Sequence, residues 1–127
     1  MMASTAPERF RELEPFLPPL PEENRRLAEE ITAVHCRWMQ EHAQRYPALT
    51  SRGRVLFTSQ DTEWETSSET YLRGELQTWS ADLLRGYLDY VKSCEEKGIN
   101  LVTEQDRKTV VQYGYATLEE AERHHAK

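Results

Sequence analysis

Cysteine is scarce. Cys36 and Cys94 are the only two in 127 residues, too few for a disulfide framework and not spaced as a C-x-x-C pair. Both lie in segments with helical periodicity, so buried free thiols are expected. No apolar run nears the roughly 20 residues of a membrane span, and the N-terminus has neither the basic nor the apolar block of a signal peptide. The expectation is a cytoplasmic protein. A basic excess is missing as well: Lys plus Arg number 16 against 22 Asp plus Glu, a net charge of -6, and the basic residues do not cluster. Such a chain repels a polyphosphate backbone and an anionic bilayer alike, which disfavours non-specific nucleic-acid binding and binding to anionic membrane surfaces. What is present suffices for a core, because 38% of the residues are hydrophobic and three Trp, six Tyr and three Phe are among them.

Proline is confined in the same telling way. Five of the six, Pro7, Pro15, Pro18, Pro19 and Pro21, fall in the first 21 residues and forbid a long helix there. Residues 1–21 therefore read as an arm. Phe10, Leu13, Phe16, Leu17 and Leu20 make it too apolar for a solvated linker, so it should lie on the domain or clasp a second copy in a homodimer.

From Glu22 to Tyr46 the residues Leu27, Ile31, Val34, Trp38, His42 and Arg45 recur at steps of three and four, which is one face of a helix ended by Pro47. A loop over Ala48–Arg54 and a short apolar run, Val55-Leu56-Phe57, come next. A second helix is predicted from about Thr62, presenting Trp64, Ser68, Tyr71, Leu72, Leu76 and Trp79 on one side. Ser80 reads as the N-cap of a third helix carrying Leu83, Leu84, Tyr87, Leu88, Val91 and Cys94, with Gly98 just past its end. Thr103 with Asp106, and Thr117 with Glu120, have the spacing of capping boxes for two shorter helices. The fold class is all-α: a single bundle of four to five antiparallel-leaning helices over residues 22–118, with residues 119–127 as a frayed tail.

Polar groups forced onto an apolar face are the candidate chemistry. Glu75 falls between Trp64, Tyr71, Leu72 and Trp79 on the helical wheel, Glu65 sits at the edge of that face, and Asp61 joins it if the helix extends back. Carboxyls in unlike surroundings can divide acid and base roles, while the alternative is a structural ion pair or a hydrogen bond to an aromatic. His35 and His42 flank Trp38 on the inward side of the first helix, where an imidazole could serve as a base or simply fill the core. Seven residues apart, they are too distant to chelate one metal ion, and neither a metal nor a cofactor is expected. Arg54, in the turn Ser51-Arg52-Gly53-Arg54, suits a grip on an anion. Arg73 pairs naturally with Glu69 four residues earlier. Trp38, Tyr71 and Trp79 could wall an aromatic pocket, or be core.

Gly53-Arg54, Gln60-Asp61, Arg73, Thr78-Trp79-Ser80, Leu83-Leu84, Tyr87 and the run Gly98-x-Asn100-Leu101-x-Thr103-Glu104 together resemble a small helical bacterial family, domain of unknown function 4125. The segment concerned is Gly53 to Glu104. That family has Cys directly before the Gln-Asp pair, where this chain has Ser59, and Gln where Glu75 stands. Cysteine chemistry therefore does not carry over, and Glu75 adds an ionisable group. In size and helical makeup the chain is also similar to the small Pictet-Spengler condensing enzymes of bacterial β-carboline natural-product pathways. That resemblance implies a tryptophan-like amine and an acidic carbonyl partner as substrates. Glu75, Glu65 and Asp61 would transfer protons, Arg54 or Arg73 would hold the anion, and Trp38, His42, Tyr71 and Trp79 would line the substrate. The rival expectation is a non-catalytic interaction or ligand-binding module that acts through the arm.

Overall fold

The computed structural model describes residues 20–126, so all but the last two residues of the predicted arm lie outside the described residues. The described residues form six α-helices and no strand, and the chain is all-α as its periodicity predicts. In order these are α1 (Glu22–Arg45), α2 (Pro47–Arg52), α3 (Ser68–Leu76), α4 (Ala81–Glu96), α5 (Leu101–Gln112) and α6 (Leu118–Ala126), with a single 3-10 turn at Thr58–Gln60. None is long and apolar enough to cross a membrane.

α1 is the spine. Its face of Leu27, Ala28 and Ile31 packs on Leu76, Leu84 and Leu88, and two turns further Val34 and Trp38 pack on Val91 and Cys94. Beyond its end Tyr46 joins Val110, Leu118 and Ala121 in a third cluster. Three small cores along one rod bury enough apolar surface to hold every helix against α1 or its extension. The ion pairs Glu23–Arg85 and Arg37–Glu95 advance in the same direction on both helices, so α1 and α4 run parallel. This corrects the antiparallel leaning expected from short loops. α2, the following loop and α3 make the return trip, α3 running antiparallel to α1 with Arg73 on Glu29 and Glu69 beside Cys36.

Local chemistry fixes the boundaries. Ser80 Oγ accepts from Leu83 N at 3.2 Å and caps α4, and Gly98 closes it at φ +73°, a left-handed position that favours glycine. Pro47 ends α1 and then opens α2, where its missing N–H costs nothing. The predicted loop is instead this helix, because both oxygens of Glu122 reach back from α6 to the N–H groups of Ala48 and Leu49, each at 2.9 Å. The predicted frayed tail is α6. Thr117 Oγ1 accepts from Glu120 N, Glu120 accepts from Ala116 N, and Leu118 and Ala121 are fully buried.

The Thr103–Asp106 capping box does not form. Asn100 caps α5, accepting from Thr103 N at 3.1 Å while its Nδ2 donates to the carbonyl of Trp38 at 3.0 Å. Asn100→Ala removes a cap and an interhelical bond together and is expected to lower stability by about 1–2 kcal/mol. Asn100→Asp keeps the acceptor and loses the donor, so urea denaturation should recover roughly half of that loss. Equal losses in the two variants would mean that the bond to Trp38 carries everything.

Candidate active site

One open cleft of about 860 Å³ crosses the described structure, within the size range of small-molecule sites. Its floor is the middle of α1, with His35, Met39 and His42. One wall is α5, through Leu101, Val102, Asp106 and Val110. The other is α2 and the segment after it, through Leu49, Thr50, Arg52 and Arg54, and Tyr87 of α4 closes one end.

His42 is the best-held polar group there. Its Nε2 lies 2.6 Å from Asp106 Oδ2 and its Nδ1 lies 2.9 Å from Thr103 Oγ1. A carboxylate can only accept, so Nε2 donates, and in the neutral ring Nδ1 accepts the threonine O–H. The spacing of Thr103 and Asp106, one turn apart on α5, thus clamps an imidazole instead of capping a helix. The His42 side chain is 5% exposed and that of Asp106 44%. Only Asp106 can meet a solute from the cleft, and its Oδ1 has no partner among the described residues.

A second pair stands two turns back along α1, about 10 Å away. His35 Nε2 is 3.0 Å from the Tyr87 hydroxyl, and both residues line the cleft. Burial holds His35 below the ordinary histidine value, so the ring is neutral at pH 7. Burial, with smaller contributions from Tyr90, Cys94 and Glu75, pushes Tyr87 up and keeps its phenol protonated.

The carboxylates expected from the sequence lie elsewhere. α3 begins at Ser68, not Thr62, so Trp64 belongs to a loop and is 89% exposed. With the helix starting late, Thr70, Gly74 and Leu76 take the inward positions, and Glu75 and Tyr71 share the outward face. Glu65 is a loop latch, accepting from Val55 N at 3.1 Å. Asp61 accepts from Ser67 N and from Thr70 Oγ1, which spends both oxygens on tethering the loop to α3. None of the three lines the cleft.

The binding residues divide similarly. Arg54 lines the cleft but donates to Thr66 O at 2.8 Å and lies over the Tyr71 ring, 5.4 Å from its centroid. Arg73 is outside, bonded to Glu29, Glu69 and Thr58. Trp38 is core at 4% exposure, and half-buried Trp79 packs on the first cluster with its ring edge-on to Tyr87. Of the expected set, His42 and Arg54 reach the cleft. Both thiols are free. Cys94 is buried, and half-buried Cys36 is pushed up to about 11, first by burial and then by Glu69.

Residues 5–123 match the model of the family described as protein of unknown function (DUF4125). The chain belongs to the DUF4125 family. The match spans nearly the whole sequence, well past the Gly53–Glu104 segment that carried the resemblance, so in this DUF4125 protein the floor and both walls named above fall inside the family unit. No curated protein and no solved structure matches the chain.

Proposed function

We propose that this DUF4125 protein is a cofactor-independent enzyme that performs carboxylate acid–base chemistry on a small organic molecule, with Asp106 as the group that exchanges the proton. The observation that carries the reading is the Thr103–His42–Asp106 chain at the cleft wall, with a buried imidazole behind a half-exposed carboxylate. The buried ring orients the carboxylate, shares its charge and leaves Oδ1 without a partner among the described residues, which is how a general base is prepared. His42 and Thr103 are positioning residues. Tyr87, backed by neutral His35, supplies a hydroxyl donor at the far end of the same floor.

The specific reaction is a Pictet-Spengler-type condensation of a tryptophan-like amine with an aldehyde or keto acid. Amine and carbonyl lose water to form an imine, which is protonated. The indole carbon attacks the iminium carbon, and the ring proton then leaves to Asp106. Apolar walls beside one such base support this assignment, and holding both reactants in one cleft raises the rate by proximity.

Tryptamine and tryptophan are incubated with a panel of aldehydes and keto acids and the intact protein, and products are separated on a chiral column. Accelerated, stereoselective product is expected. Asp106→Asn should lower kcat by about 10²–10⁴ with little change in KM, and His42→Gln by less. Absence of product across the panel retires the condensation, and a fully active Asp106→Asn protein retires the acid–base assignment. Probe binding without turnover in the native protein would instead favour a ligand-binding module.

A further inference from the structure

The charge in the cleft opposes that of the chain. Against a net charge of -6 overall, the cleft lining carries three cations, Arg52, Arg54 and Lys108, and two carboxylates, Glu104 and Asp106. Both carboxylates are engaged, Asp106 by His42 and Glu104 by Arg107 at 3.6 Å. Arg54 is engaged too, by Thr66 O and the Tyr71 ring. Arg52 and Lys108 have no ion-pair partner among the described residues, unlike Arg37, Arg73, Arg85 and Arg107, each of which meets a carboxylate. Two residues before Arg52, the cleft-lining Thr50 has a buried Oγ1 with no hydrogen-bond partner among the described residues, and such orphaned hydroxyls are uncommon in folded proteins.

We infer that the cleft binds an amphipathic organic oxyanion, its charged end held by Arg52, Lys108 and Thr50 Oγ1 and its apolar body lying along Leu101, Val102 and Val110. Arg52 and Thr50 come from α2 and Lys108 from α5, so the oxyanion bridges the two walls. A guanidinium fork and an ammonium meet two faces of one oxyanion, and the hydroxyl fills a remaining lone pair. The role assigned to Arg54 and Arg73 from the sequence passes to Arg52 and Lys108. This specificity rests on the cleft being a ligand site, as proposed above, but its test needs no turnover.

Titration calorimetry on the intact protein at low salt compares indole-3-acetate with its neutral isostere indole-3-acetamide, and phenyl phosphate with phenol. Each anion is expected to bind about tenfold or more tightly than its neutral partner. The carboxylate and phosphate arms show which oxyanion the subsite prefers. Arg52→Gln/Lys108→Gln should abolish the preference and Thr50→Val should reduce it, whereas Lys92→Gln, an exposed cation outside the cleft, should leave it intact. Equal binding of acid and amide, a preference that survives in the Arg52/Lys108 variant, or no binding of any probe at about 1 mM overturns the inference. Equal binding of anion and neutral partner by a native protein that still turns over substrate would sink only this subsite. Preference retained with an active Asp106→Asn protein would sink only the acid–base reading.

Discussion

A Trp38→Ala protein is expected to lose about 3–5 kcal/mol of stability, the largest effect of any single truncation considered for this chain. Trp38 is 4% exposed, its ring packs with Val34, Val91 and Cys94, and His35 meets it at a 5.2 Å ring-centroid distance, edge to face. Alanine opens a cavity at the point where α1 meets α4, and a small domain holds only about 5–15 kcal/mol in total. Trp38→Phe keeps most of the apolar volume and should cost about 1–2 kcal/mol. The pair separates two roles for this residue. If Trp38 is core alone, the Phe variant shifts the urea midpoint and leaves binding of indole-3-acetate within twofold. A Phe variant of native stability that binds the probe far more weakly would restore the substrate contact expected from the sequence.

Much of the fold was legible in the residues, and the failures have a common cause. Helices whose apolar face is long and unbroken, α1 and α4, could be placed by period alone, and Ser80 and Gly98 marked the limits of α4 by cap chemistry that needs no tertiary partner. α3 could not be placed so well. Its start depends on the carbonyls of Val55 and Leu56 accepting from Ser68 N and Glu69 N, both at 2.9 Å, and these partners are more than ten residues away. A shift of six residues in the start carried Trp64 off the helix and left the wheel anchored on a residue outside it. α2 and α6 depend on each other through Glu122, a dependence that period cannot report.

The candidate site follows the same rule. His42 was visible because it interrupts an apolar face, and an interruption is a local signal. Asp106 was visible too, but under the wrong heading: T-x-x-D is the spacing of a cap and equally that of two side chains one turn apart on one helix face. Only the position of α1 against α5 separates the two. A buried histidine in search of an acceptor, together with a T-x-x-D on another helix, was the signal that could have joined them. Arg52 and Arg54 differ for a similar reason. They are two residues apart in one turn, and which of them stays free depends on where Thr66 and Tyr71 come to rest.

Arg73 is expected to set the acid sensitivity of the fold. It donates to Glu29, to Glu69 at 2.6 Å and to Thr58 Oγ1 at 3.1 Å; Thr58 donates to Thr70, and Thr70 to Asp61. Burial pushes the Glu69 carboxyl up, but Thr58 N–H and Arg73 outweigh it and hold the group below the ordinary range; Thr70, Ser67 and Arg73 do the same against burial for Asp61. Both groups are more acidic folded than unfolded, so as the pH falls the unfolded chain takes up protons first. Their contribution is therefore complete above the unfolded carboxylate range, near pH 4, and drains away as the pH drops through the lower folded values. With side chains 24% and 17% exposed, the Arg73–Glu69 pair stands between a surface bridge and a buried one, and Arg73→Met should cost about 2 kcal/mol at pH 7. The same substitution lets both folded values rise toward the unfolded ones, so thermal midpoints followed from pH 7 to about pH 3 should fall less steeply than in the native protein. Parallel curves, offset but equal in slope, would show that the loop's hydrogen bonds hold these carboxylates without help from the guanidinium.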